Sequence, residues 1–191
     1  MSWFKIKEKI KFYWQAKNAH GLHSPFVFNF YISVKAIIKR LDFILKNPNG
    51  FSKKENRIIL AILQYLKPAN TLILSDEKEV VNVWNTILYD KSNLFFAQDT
   101  NTIPLKSINF DLIILSKSLI DNQKTLINKL LPLINNESFV IIPHIYASKI
   151  AISKWESLLE EKQISVSMDL FFIGILFFRK ESSKQDFQLR F

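Results

Sequence analysis

The sequence has no cysteine, and only three of its 191 residues are glycine: Gly21, Gly50 and Gly174. Without thiols there is no disulfide stapling and no cysteine-ligated zinc, a composition that suits a reducing, cytoplasmic setting. Three scattered glycines exclude a glycine-rich phosphate loop, which needs several within a few residues. Serine or cysteine nucleophile motifs and paired catalytic carboxylates are missing too. The longest apolar run, Leu170 to Phe178, has nine residues, against the roughly 20 that a membrane-crossing helix needs. The Lys-rich first residues contain no continuous apolar stretch of the kind a signal peptide carries.

What is present is enough hydrophobic side chain, 48% of residues, to build a core. A chain of this length fits one domain, with room for a small appendage, and buries roughly 70% of its unfolded surface. The net charge of +9 is unevenly spread. Lys5, Lys7, Lys9, Lys11, Lys17, Lys35, Lys39 and Arg40 face Glu8 alone in residues 1–40, so attraction to an anionic partner belongs at that end.

Trp3, Ile6, Ile10, Tyr13 and Trp14 fall in one stripe about 100° wide on a helical wheel, with lysines around it, so residues 3–17 read as an amphipathic helix. The stripe is expected to dock on the domain or on a second copy of the chain. The alternatives are anionic lipid and nucleic acid, for which lysine supplies attraction and tryptophan an interfacial or stacking group. Residues His20 to His23 break the helix. Ser24-Pro25, a cap followed by proline, opens a second helix to about Lys46, and Asn47-Pro48-Asn49-Gly50 is a turn by composition. A capping box, Ser52 with Glu55, opens a third helix to about Leu66, stopped by Pro68.

From there short β-rich runs alternate with helices. Thr71–Leu74, Asn93–Ala97, Asp111–Leu115 and Phe139–Ile142 read as buried strands, with helices near 77–89, 121–134 and 148–161. This is the pattern of a parallel sheet in an α/β fold. Ser165–Met168 and Ile173–Phe178 are close enough to form only an antiparallel hairpin, and Asp186–Phe191 adds a last edge segment. The expected organisation is an N-terminal helical region, 1–66, and a Rossmann-like domain, 67–191, packed as one unit.

Several strings carry a resemblance. His20-Gly-Leu-His-Ser-Pro-Phe-Val-Phe28 resembles the N-terminal signature of a group of bacterial O-methyltransferase-like proteins within the class I S-adenosylmethionine-dependent methyltransferases. Ser167 to Lys180 and the closing Phe187-Gln-Leu-Arg-Phe191 are similar to the same group's C-terminal hairpin and tail. Phe110 to Ile114, Leu131-Pro132, Ile145-Tyr146 and Ser148 keep the expected order. The resemblance implies a methyltransferase sheet, mostly parallel and finished by an antiparallel hairpin, behind N-terminal helices.

It also implies positions for S-adenosylmethionine, and there the sequence departs from the group. The glycines that let backbone approach the cofactor are replaced by Ser75 and Glu79 within Leu72-Ile-Leu-Ser-Asp-Glu-Lys-Glu79. Asp76 to Glu79 makes a capping box, favouring an ordinary helix start, and its acidic groups would repel the cofactor's carboxylate. Only one strand fits between about Tyr89 and Asp111 where the group has two, so a strand-helix unit is missing. If Asn93–Ala97 corresponds to the group's second strand, Gln98, with Asp99 beside it, stands where an acid would grip the ribose; if to the third, the ribose-binding strand is gone. The acidic positions after the two later strands read Ser116-Lys-Ser-Leu119 and Pro143-His144.

The sequence thus points to a degenerate methyltransferase-family protein without a cofactor, serving a structural, regulatory or partner-binding role with an unknown protein or with itself, as a dimer through its N-terminal helices. One alternative is an active O-methyltransferase for a small hydroxylated molecule, with a rebuilt site lined by Ser75, Gln98, Asp99, Ser116 and His144. The other is a membrane-surface or nucleic-acid adaptor using residues 3–17. His144 is the best single residue for surviving chemistry, weighed against an ordinary turn histidine bonded to backbone. His20 and His23 lack the nearby carboxylate a zinc site would add and are expected to fix the turn between helices.

Overall fold

Alternation of inward and outward side chains along β1 (Asn70–Leu74) decides how the molecule is layered: Leu72 and Leu74 pack into one apolar cluster and Ile73 into another. The same split recurs along β3 (Leu112–Leu115) and β4 (Phe139–Pro143), whose residues are buried on both faces. That explains why these strands are continuous apolar runs. The structure, a computed structural model, describes residues 3–41, 51–88, 92–103, 108–120 and 123–191, with His20, Lys117, Gln123 and Lys124 described by backbone only. The second expected helix stops at Arg40 instead of near Lys46, because Leu41 is extended, and the turn expected at 47–50 lies outside the described residues.

Seven strands form one sheet. Besides those named, β2 is Asn93–Ala97, β5 Val166–Asp169, β6 Ile173–Phe177 and β7 Gln185–Gln188, in the order β2-β1-β3-β4-β6-β5-β7. The first four are mutually parallel, β6 is antiparallel to both neighbours, and β7 pairs parallel with β5. The expected parallel sheet with a C-terminal hairpin is therefore present. The usual doubly wound order places two strands outside the first; among the described residues here there is one. Because β2 pairs directly with β1, it takes the place of the second strand, and Gln98 is the residue that follows it.

Helices α2 (Pro25–Arg40), α3 (Lys53–Leu66) and α4 (Lys78–Leu88) cover one face of the sheet; α5 (Gln123–Leu130) and α6 (Lys149–Leu159) cover the other. Local signals start α2 and α3: the Ser24 side chain accepts from the Val27 N–H, and Ser52 and Glu55 exchange both capping-box hydrogen bonds. Lys67 closes α3 in the left-handed conformation. The C-terminal tail clasps this helical layer. Tyr31 Oη donates to the Arg190 carbonyl at 2.9 Å, the Tyr31 ring stacks on Phe191, and Lys54 Nζ donates to the Phe191 carbonyl.

The first helix, α1 (Trp3–Gln15), docks differently from expectation. Phe12 is its buried residue, with its ring centroid 5.5 Å from Phe171 and 6.2 Å from Tyr146. Trp3, Ile10, Tyr13 and Trp14, expected to dock on the domain or on a second copy, are exposed and so do not dock on the domain. The cause is the socket beyond the strand ends, which is lined by Phe171 and Tyr146 and takes an aromatic ring from the helix's other side. Just past the helix, Lys17 forms a parallel bridge with Leu189: its N–H donates to the Gln188 carbonyl at 2.8 Å and its carbonyl accepts from Arg190.

Candidate functional site

In an open α/β sheet ligands bind beyond the carboxyl ends of the strands, where the chain leaves neighbouring strands in opposite directions. Here that point is the β1/β3 boundary, since β1 leads to β2 on one side and β3 to β4 on the other. Ser75 and Ser116 are the residues immediately after β1 and β3. Both are buried, and their N–H groups extend the ladder, Ser75 donating to Ala97 and Ser116 to Leu74, each at 3.0 Å.

Side chains bridge the mouth above them. Ser118 Oγ donates to Asp76 Oδ1 at 2.5 Å, and the single proton of Ser116 Oγ faces both Ser118 Oγ at 2.8 Å and Glu77 Oε1 at 3.2 Å. The turn after β1 is thereby tied to the turn after β3 through two carboxylates. Ser75 Oγ accepts the Glu77 N–H at 3.0 Å, which curls the chain one residue early. The Glu77 carbonyl accepts the first helical hydrogen bond, from Val81. Glu77 is therefore the cap of α4, and the capping box expected from Asp76 to Glu79 is out of register. Asp76 bonds Ser118 across the mouth, and Glu79 is exposed on the first turn of the helix.

Gln98 is exposed beyond β2. Asp99 is committed to its own turn: its Oδ1 accepts from the Asn101 N–H at 2.7 Å and the Thr102 N–H at 3.0 Å. Those N–H groups, Asn101's foremost, hold its carboxyl below the usual range. His144 lies at the end of β4, two strands from β1, with φ at 59°. Its N–H donates to the Phe172 carbonyl at 2.7 Å, and its ring stacks on Phe51 at 4.4 Å. The structure thus gathers Ser75, Ser116, Asp76, Glu77 and Ser118 at one mouth, puts Gln98 and Asp99 at the neighbouring strand end, and seats His144 against α3's lead-in.

A second polar group was not foreseen. Asp169, 4% exposed at the end of β5, accepts from Tyr146 Oη at 2.8 Å, the Phe171 N–H at 2.7 Å and Gln188 Nε2 at 3.3 Å. Burial outweighs these donors and pushes its carboxyl up to about 6. The Tyr146 hydroxyl is also raised, first by burial and then by the Asp169 charge. An acid directly before the Leu170–Phe178 apolar run is the signal that could have marked Asp169. Gln188 could not have been placed, because it arrives through the long-range pairing of β7 with β5.

No family model matches this chain, and no curated protein matches it in sequence. Solved structures do resemble it. A methyltransferase from Geobacter sulfurreducens has a TM-score of 0.51 at 7% identity, over 80% of this chain and 89% of its own. An SAH-bound methyltransferase from Podospora anserina has a TM-score of 0.48 at 12% identity, over 84% and 100%. An O-methyltransferase from Bacillus cereus in complex with SAH has 0.41 at 10%, over 78% and 90%. At such low identity the Geobacter likeness speaks for architecture, and with the strand order above it gives this chain a Rossmann-like fold of the methyltransferase type.

Proposed function

We propose that this chain is a methyltransferase-fold protein that no longer transfers methyl groups and acts instead as a structural or regulatory partner of another protein. The observation that carries this reading is the hydrogen-bonded bridge of Asp76 and Glu77 to Ser118 and Ser116 across the β1/β3 mouth. S-adenosylmethionine fits these residues poorly. Asp76 and Glu77 stand where its methionine portion would lie, and that portion, with its carboxylate and ammonium, would have to displace their contacts to Ser118 and Ser116 to enter. Ser75 also brings a buried side chain to the point where close backbone approach would be needed.

The positions that would hold the nucleoside add support. Gln98 has no charge to accept two ribose hydroxyls strongly, and Asp99 Oδ1 already accepts two N–H groups of its own turn. Among the candidate residues none is a free base poised over an open crevice: His144 is stacked and backbone-bound.

A ligand that binds only the folded protein raises its unfolding temperature. Thermal unfolding with saturating S-adenosylmethionine or its demethylated product is expected to match unfolding without either. A ligand-dependent rise would overturn the reading and favour a rebuilt site that methylates a small hydroxylated molecule.

A further inference from the structure

Among the described residues, the docking of α1 leaves one face of the helix uncovered. Phe12 and Ala16 are turned inward, and the stripe centred on Ile10 lies roughly 150° away around the helix axis. Trp3 is 78% exposed, Trp14 86% and Ile10 56%; Tyr13 borders them, and Ile6, Ile10, Tyr13 and Trp14 line a shallow hollow with Lys9. The two tryptophans bracket the stripe at either end, about 16 Å apart along the axis. On the wheel Lys7 and Lys11 flank one edge, and Lys9 and Lys5 the other, while Glu8 is the helix's one acid.

We propose that this face lies flat on an anionic lipid surface. The charge pattern selects the occupant. An apolar stripe rimmed on both edges by lysine matches an interface where acyl chains meet negative headgroups, and tryptophan prefers that level. Two copies meeting through the same stripe would bring their lysine rims together with only Glu8 from each helix to offset them. Nucleic acid would satisfy the lysines and leave Ile6 and Ile10 in water. No described helix is long and apolar enough to cross a membrane, so α1 rests on the surface. The helix is held for this by Phe12 on one side and the Lys17 bridge to Leu189 at its end. The inference does not depend on whether the strand-end crevice binds a cofactor.

Co-sedimentation of the full chain with vesicles tests it. With phosphatidylcholine and phosphatidylserine in equal parts the protein is expected to pellet, with a blue shift in tryptophan emission; with phosphatidylcholine alone it is expected to stay in solution. Added salt should weaken the binding. Trp3→Ser with Trp14→Ser, and separately Lys7→Glu with Lys11→Glu, should each weaken apparent vesicle affinity at least about tenfold. All four side chains are exposed, and far-UV circular dichroism should show both variants folded. Failure to pellet with anionic vesicles, or unchanged binding by the tryptophan variant, would overturn the proposal. So would a dimer that the tryptophan variant dissociates, or retention by RNA, in a protein that ignores the vesicles.

Discussion

Replacing Asp169 by asparagine should change how stability depends on pH. Asp169 is buried, its carboxyl is raised from 3.8 to about 6, and the main cause is loss of water. Between those values the folded state holds a proton that the unfolded state has released. Unfolding free energy therefore falls as pH rises, because its slope follows the difference in protons bound by the unfolded and native states. The stabilisation is fully present below about 3.8 and is lost as pH passes 6. The whole change corresponds to roughly 3 kcal/mol. Asparagine keeps an oxygen for the Phe171 N–H and offers its amide to Tyr146 Oη and, once the Gln188 amide turns over, to its oxygen, so the pocket stays filled without a charge to desolvate. Urea unfolding of both proteins from pH 4 to pH 8, compared as a difference at each pH, isolates this group from the other carboxylates. The variant should gain on the native protein by about 2–3 kcal/mol across that interval. A difference that does not vary with pH would refute the assignment of a neutral buried acid, and a difference of opposite sign would show that the three donors outweigh burial.

Two further outcomes test the packing. Gly174→Ala would set a methyl carbon 2.4 Å from Trp155 Cζ3 and 2.6 Å from Cη2, with the indole itself buried, so a loss of about 1–3 kcal/mol in denaturant unfolding is expected; no loss would mean that the indole shifts freely. Ser52→Ala removes the hydroxyl that receives the Glu55 N–H and should cost about 1 kcal/mol by the same measurement, whereas Lys53→Ala next to it, on the exposed first turn, should cost little.

Much of the architecture was legible because its determinants are local. Ser24-Pro25 and Ser52 with Glu55 start helices whatever surrounds them, and Asn93–Ala97 is a strand with the bounds its side-chain pattern suggests. Errors arose where a nearby competitor or a distant partner decided the outcome. At Asp76 the competitor was Ser75, whose hydroxyl takes the Glu77 N–H and moves the helix start by one residue. At α1 the wheel located the apolar stripe but could not show that Phe12, from outside the stripe, would be the residue docked on the domain, since periodicity is blind to a socket made by Phe171 and Tyr146 far along the chain. The parallel pairing of β7 with β5 was beyond local reading for the same reason, and with it the Gln188 contact to Asp169. At the candidate site the identity of the residues was legible, whereas the bridging of Asp76 and Glu77 to two serines 39–42 positions away needed the structure.

The proposed loss of methyl transfer requires that the β1/β3 mouth, spanned by hydrogen bonds among Asp76, Glu77, Ser116 and Ser118, does not take the methyl donor. Isothermal titration of the purified chain with S-adenosylmethionine and with its demethylated product tests that claim most directly. No saturable heat into the millimolar range is the expected result, and micromolar binding of either compound would contradict it.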